Sequence, residues 1–584
     1  MLRRILRSPS GPIRLGPSAL LAFAALLSAC RGDESRSDDN GDGTDGTDTA
    51  SDGPTSSPTD GTSADESGEA GDDGGIEIEP APGGLRRLTS REYTATVEML
   101  LGADAAAAAV PPVDVPQDGF DAVGGNILSL DGTAIEQYET SARAIAAAAV
   151  ANPAKLAEIA PCVTQSPDAA CYEEVAIELG KLAFRRPLEQ AEIDTFVAVA
   201  EHGQEWGEGD FGAGLTYELA AILQCPSFIY LVELGEPDED SGFRRLNPYE
   251  LATRMSIFLL GRGPDAALLT EAEAGGLADG DMIRAKAQEM LGTARARAAL
   301  SGFFDEYFRL RSLSTEAKNP ELFPKWDAAL ASAMRQETQL LVHDVVWEND
   351  ADYREIFTAD YTYVNDDLAD LYGIAPPGQG NTYVRTPWPD NQLRAGYLSQ
   401  ASFLTHQSGP LRNSPTKRGR FVQQWVLCTD VPPPPVGVDP TLPDLGPDAT
   451  LREILLVHLD NESCATCHGI MDPVGFAFEF YDAIGAYRTV ESNGQPLEAQ
   501  GEIEGYGEWN NAKELAQVVA DDPRTSKCFV TNLIRGSLGH KEVDGEADAI
   551  TALDQSFADS EYSVQALLTE FPASPLFRLV DEPK

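Results

Sequence analysis

Apolar residues along this chain recur three and four positions apart far more often than they alternate, which is the helical rather than the strand period. Thr89-Ser90-Arg91-Glu92 reads as a capping box, and the run through Met99 and Leu100 to a Gly102 stop predicts a short amphipathic helix. A second, Ala-rich helix is expected over Ala134 to Ala151, and two more across Cys171 to Ala200, broken near Arg186-Pro187. Asn247-Pro248-Tyr249-Glu250 supplies an N-cap, a Pro at the first helical position and a Glu at the third, opening a helix through Met255 and Leu260. Asp281 to Arg311 and Trp326 to Trp347 carry the same spacing, and a last helical region runs from Ala512 to about Phe577. Between them the pattern fails. Gly373 to Arg394 and Val436 to Asp448 read as loops, and Asp430-Val431-Pro432-Pro433-Pro434-Pro435 as a stiff polyproline segment. Strand patterns are scarce, with no internal repeat and no Gly-rich phosphate loop. The expected fold class is mainly α, with several helical subdomains and long loops.

The first thirty residues follow different rules. Arg3, Arg4, Arg7 and Arg14 precede a short apolar stretch from Ser18 to Leu27, too short to span a bilayer, so this is an export signal. Leu27-Ser28-Ala29-Cys30 is similar to a bacterial lipobox, which implies acylation of Cys30; Arg31 after it points to the outer membrane or cell surface. A simple secretory signal with an incidental Cys30 is the alternative. From Arg31 to about Pro82 the chain is Asp, Gly, Ser and Thr, too polar to offset the entropy of ordering, and reads as a self-repelling tether. The expected layout is a lipoprotein signal peptide at 1–29, an acidic tether at 30–82, helical domains at 83–152, 153–240 and 241–375, a loop-rich segment at 376–495 and a C-terminal helical domain at 496–584.

Charge narrows the class of partner. With 94 acidic against 43 basic side chains in 584 residues, the formal net charge is −51. Clustered Lys and Arg for phosphate contact are lacking, so no nucleic-acid partner is expected, and a membrane is met only through the lipid anchor.

Candidate chemistry gathers at the cysteines. There are eight, and Cys464-Ala465-Thr466-Cys467-His468 is the attachment pattern of a c-type haem. Two thiols at that spacing add to the two porphyrin vinyl groups, and the following imidazole is placed to ligate iron. Cys464, Cys467 and His468 are therefore the candidate cofactor site, holding one covalent haem c. A disulfide from these cysteines, or a poorly populated zinc site, would be the alternatives. Met471 would project from the same side as the motif, so His458 and His540 are left as second iron ligands, with an open iron position equally allowed. Cys162 and Cys171 flank the polar loop Val163 to Ala170, which favours a local disulfide; Cys428 and Cys528 can bridge the loop region to the C-terminal helices. Cys225, beside Pro226 and Phe228, is left as a buried thiol.

Several stretches then look like successive signatures of one family. They are Leu85-Arg86-Arg87-Leu88-Thr89, Ala183-Phe184-Arg185-Arg186-Pro187-Leu188, Pro226-Ser227-Phe228-Ile229-Tyr230, Glu250 to Ser256 and Ser414 to Gly419. The most specific runs from His458 through the CxxCH to Met471-Asp472-Pro473-Val474-Gly475-Phe476 and on to Asp482 through Arg488. The chain resembles large secreted proteins of planctomycetes and myxobacteria, which combine domains of unknown function with a planctomycete-type cytochrome c module. The resemblance covers about residues 84 to 583 and implies a cytochrome-c-like segment toward the C-terminus. Two departures stand out. The tether replaces an additional cytochrome-like domain, and Leu538-Gly539-His540 stands where the family usually has Leu-Gly-Arg, which favours His458 over His540 as second ligand. Arg488 is expected in an ion pair with Asp472 or Glu479 rather than on a haem propionate.

The leading expectation is a surface-anchored monohaem protein serving an extracellular or periplasmic redox partner or polymer. Two others stand beside it: a haem-free binding or scaffold lipoprotein with the motif cysteines in disulfides, and a peroxidase- or oxygenase-like haem oxidoreductase. No hydrolase triad, zinc-protease helix or nucleotide loop is present in the sequence.

Overall fold

The computed structural model describes residues 78–433, 442–459, 462–503 and 505–583. The signal peptide, Cys30 and nearly all of the tether lie outside the described residues, as do part of the proline run and the side chain of His458.

The fold is mainly α, and its helices start where the sequence places their caps. Thr89 caps Ser90–Leu101 with Glu92 closing the box, and Gly102 ends it at φ 90°. Asn247 accepts from the backbone N–H groups of Tyr249 and Glu250 at the start of Pro248–Leu260. The Ala-rich helix is Gly132–Ala151, and the pair around Arg186-Pro187 is Ala169–Phe184 and Gln190–Trp206. The pattern from Asp281 to Arg311 resolves into Gly280–Leu291, Ala294–Tyr307 and a 3-10 turn at Leu310–Thr315. The break comes at Gly292-Thr293, where the Thr293 side chain caps the second helix. The C-terminal region forms Ala512–Asp521, Pro523–Leu538, Ala547–Asp559 and Val564–Glu570.

Short strands lock distant segments together. β1 (Gly84–Arg87) pairs antiparallel with β2 (Tyr230–Glu233), Leu85 opposite Val232. β3 (Glu236–Pro237) and β4 (Arg244–Arg245) form one ribbon; β5 (Tyr361–Val364) pairs with β6 (Val384–Pro387), and β7 (Gly501–Ile503) with β8 (Gly507–Trp509). β9 (Leu579–Val580) joins β4, and Pro82 bridges Asp581, so the two ends of the folded part meet. The main apolar core takes residues from Ile78 to Val580, with two small separate clusters around the motif helix. Its centre is aromatic: Phe308 lies 3.9 Å from Tyr397 and Tyr353 4.1 Å from Phe529, ring to ring. The helical subdomains thus share their packing.

Both expected disulfides are present, Cys162–Cys171 and Cys428–Cys528. Cys225 is buried as expected, but it is disulfide-bonded rather than a thiol, which corrects the sequence reading. Apolar neighbours show that a cysteine is buried, and they do not show whether a partner reaches it.

Candidate functional site

The CxxCH lies within the helix Glu462–Phe476, which follows Leu451–Leu459. It docks on Pro415–Phe421, a helix opened by Ser414 as N-cap and Pro415 at the first position. Docking is backbone to backbone. A Cβ added to Gly419 would lie 1.8 Å from the Met471 carbonyl oxygen, and one added to Gly475 would lie 1.9 Å from that of Pro415. Only glycine at each crossing point permits this approach.

The segment that follows is pinned by two fully buried guanidiniums. Arg418 donates to the carbonyls of Leu404, Phe478, Tyr481 and Asp482 and to the Ser408 hydroxyl. Burial pulls its pKa down to about 9, against the opposing charge of Glu479. Arg394 donates to the carbonyls of Ser399 and Gly485, with its charge 4.5 Å from the ring centres of Tyr372 and Tyr481. Glu479, also buried, accepts from Asn413 at 2.7 Å and has Arg488 at 3.9 Å; burial pushes its carboxyl up to about 7 despite both arginines. Of the two carboxylates considered for Arg488, Glu479 is the one it meets.

Cys464 and Cys467 are both buried and both unpaired. That removes the disulfide on which the haem-free reading depended. At about 100° per residue, positions 464, 467 and 468 fall on adjoining parts of one helical face. Cys467 packs with Met471 and Val431, and its thiol donates to the Pro432 carbonyl at 3.4 Å. Met471 therefore lies on the motif's own side, as the spacing implied.

His468 donates from Nδ1 to Asp472 Oδ2 at 2.9 Å; Asp472 is fully buried, and its other oxygen accepts from Thr416 at 2.7 Å. This hydrogen bond raises the histidine pKa, with burial working the other way. In the neutral ring this bond places the proton on Nδ1, the arrangement used by metal-ligating histidines. Sequence reasoning offered Asp472 to Arg488 and missed its role toward His468, although the i, i+4 spacing was there to be read.

His540 is elsewhere. It follows the helix Pro523–Leu538, with Nδ1 on the Lys541 carbonyl and Nε2 3.6 Å from Glu546, while neighbouring Gly539 packs on Arg86 and Ala122. The backbone of His458 lies in the helix before the motif; its side chain, the favoured second ligand, is outside the described residues. Among the described residues, no group of three His, Cys, Asp or Glu side chains is arranged to hold a metal ion.

The donor set fits a covalently held haem: two unpaired thiols one helical turn apart, followed by an imidazole whose far nitrogen is fixed by a buried carboxylate. The sulfur of Cys467 is covered by Val431 and Pro432, so attachment requires that short extended segment to lift.

Four segments match families described only as proteins of unknown function. In chain order they are PSD3 (DUF1587) at residues 86–151, PSD5 (DUF1595) at 171–233, PSD4 (DUF1592) at 246–374 and PSCyt3 (DUF1588) at 394–491. The motif lies in the last, the one with a cytochrome-like name. Each match covers less than a quarter of the chain and says what that segment is similar to. No curated protein and no solved structure matches it.

Proposed function

We propose that the chain is a surface-anchored, monohaem c-type cytochrome-like protein that transfers electrons or performs redox chemistry outside the cytoplasm. The observation that carries this reading is the pair of unpaired cysteines, Cys464 and Cys467, beside a histidine oriented by Asp472. Cys464 and Cys467 would hold the porphyrin through thioethers and His468 would ligate iron, with His458 as the second-ligand candidate. When bound, the group supplies one-electron redox chemistry. Asp472 keeps the proton on Nδ1 and holds the ring; Thr416 anchors Asp472; Gly419 and Gly475 set the helix against the body. Arg418, Arg394 and the Cys428–Cys528 bond tie the surrounding segment to the core, so little reorganisation is expected when the charge at the site changes. The export signal and the lipobox-like tetrapeptide support an outer-membrane or surface location, with an extracellular or periplasmic redox partner or polymer.

The test is expression in a host competent for c-type maturation, followed by visible spectroscopy of the purified chain. A Soret band that survives denaturation and vanishes in Cys464→Ser with Cys467→Ser supports the reading; a colourless protein overturns it. Carbon monoxide binding by the reduced form would signal an open iron position and shift the reading to a haem oxidoreductase.

A further inference from the structure

The segment that covers Cys467 is rooted in a disulfide. The helix Pro415–Phe421 runs on into a single π turn at Val422–Val426, closed by the Leu427 N–H on the Val422 carbonyl, and the chain then reaches Cys428. Cys428 is bonded to Cys528 on the helix Pro523–Leu538. A few residues on, Val431 and Pro432 lie over the Cys467 sulfur. In between, Thr429 donates its N–H to the Gln423 carbonyl and accepts from Arg524 at 3.2 Å.

The two ends of this bond differ. Cys428 is exposed, whereas Cys528 is buried. Cys428 also stands at φ 48°, in the left-handed region where a residue with a Cβ stays only if its surroundings hold it. Asn532, itself fully buried, turns its amide toward the sulfurs: Nδ2 lies 3.3 Å from Cys528 Sγ and 3.6 Å from Cys428 Sγ, and donates to the Cys528 carbonyl at 2.8 Å. The Trp425 carbonyl oxygen lies 3.4 Å from Cys528 Sγ, an acceptor that only a reduced thiol can use. The residue open to attack is therefore at the surface. The sulfur that would leave has an N–H donor for its thiolate and a carbonyl for its thiol, and a stabilised leaving thiolate speeds exchange.

We infer that Cys428–Cys528 is a redox latch: a dithiol donor opens it, and opening frees the segment that shields Cys467. A thiolate of the donor attacks Cys428 Sγ and forms a mixed disulfide, while Cys528 leaves as a thiolate and takes up a proton. The donor's second thiol then displaces Cys428, which is protonated in turn. Two electrons and two protons pass to the protein, and the donor ends as a disulfide. Cys428 relaxes from its left-handed φ, and the chain carrying Val431 and Pro432 loses its covalent root. The use of this opening for porphyrin attachment rests on the haem reading; the latch itself does not.

The full-length, haem-free chain with its disulfides formed tests this, using dithiothreitol without denaturant, then alkylation and peptide mass spectrometry. Cys428–Cys528 opens at least about tenfold faster than Cys162–Cys171, and Asn532→Leu slows its opening about tenfold, because the leaving thiolate loses a charge-assisted hydrogen bond. A merely loosened fold would speed it instead. Iodoacetamide modifies Cys467 at least about tenfold faster in Cys428→Ser with Cys528→Ser than in the wild type, the change that ~1.4 kcal/mol of lost restraint produces. Cys162→Ser with Cys171→Ser, which removes the other disulfide, leaves the Cys467 rate unchanged. The inference is overturned if Cys428–Cys528 opens no faster than Cys162–Cys171, if Asn532→Leu fails to slow it, or if Cys467 reacts alike in the wild type and both serine pairs or gains equally in the two pairs. A colourless chain from a maturation-competent host would sink the haem reading alone, so the two failures are distinct.

Discussion

The backbone contact beneath the motif gives a sharp prediction, because packing and propensity demand opposite signs. Gly419 and Gly475 are helical residues without positive φ, so propensity alone would have alanine stabilise each by about 1 kcal/mol. The geometry says otherwise. The added Cβ of Gly419→Ala would meet the Met471 carbonyl oxygen at 1.8 Å and its carbon at 2.7 Å; that of Gly475→Ala would meet the Pro415 oxygen at 1.9 Å and its carbon at 2.3 Å. Backbone cannot rotate away as a side chain can. The cost should reach the upper end of the ~1–3 kcal/mol of overpacking, leaving a net loss of about 2 kcal/mol after the propensity gain. Gly469→Ala is the internal control: it lies on the same motif helix, and its Cβ would meet nothing within 4 Å. Hydrogen exchange of the motif-helix amides, measured on the haem-free chain, reads the local opening equilibrium. We expect exchange about thirtyfold faster in Gly419→Ala and Gly475→Ala, as ~2 kcal/mol requires, and slower in Gly469→Ala. If all three variants slow exchange alike, the two helices do not touch through their backbones and the described docking is wrong.

Other consequences are measurable too. Glu218 is fully buried with neither carboxyl oxygen hydrogen-bonded, and burial raises its pKa well above the usual range. A raised carboxyl pKa gives stability that is complete below the unfolded value and lost as pH climbs through the folded one. Glu218→Gln should therefore raise Tm by a few degrees at pH 8 and barely change it at pH 4; equal shifts at both would refute the burial. The loop-entropy relation gives Cys428–Cys528, which closes a separation of 100, about 4.7 kcal/mol, and Cys162–Cys171, at a separation of 9, about 2.7 kcal/mol. Serine pairs at the first site should accordingly lower Tm more than at the second; the reverse order would mean that the long loop is already constrained when unfolded.

What the sequence disclosed depended on how local the cause was. Capping boxes at Thr89 and Asn247 act within one turn, and their helices begin where expected. The disulfide between Cys162 and Cys171 was equally legible, because a short polar loop brings its ends together. The pairing of β1 with β2 was not, since Gly84–Arg87 has no alternation and finds its partner nearly 150 residues away. Nor were Arg394 and Arg418, because a charged side chain in a sequence reads as surface, and only tertiary carbonyls can satisfy it inside. The CxxCH is plain in the sequence, whereas the bond from His468 to Asp472 rests on an i, i+4 spacing that many pairs share.

These buried charges bear on how the motif relates to the rest of the chain. A cytochrome module that merely hung on a scaffold would satisfy its own polar groups. Arg394 and Arg418, the latter on the helix that the motif helix crosses, do bond within the matched segment, to Ser399, Gly485, Leu404, Ser408, Phe478, Tyr481 and Asp482. What binds the segment to the rest of the chain is Arg394 Nε on Gln392 and its guanidinium on the Tyr372 ring, the Tyr481 hydroxyl on the Gln392 carbonyl and the Tyr397 hydroxyl on that of Phe308. Cys428–Cys528 adds a covalent tie to the C-terminal helices. The cover over Cys467 is thin: the extended segment at Val431 and Pro432 is held there by the thiol-to-carbonyl contact, by Gln424 on the Val431 carbonyl and by a small apolar cluster. Exposing the Cys467 sulfur by lifting that cover breaks those contacts, whereas exposing it by moving the helix would break the backbone crossing at Gly419 and Gly475.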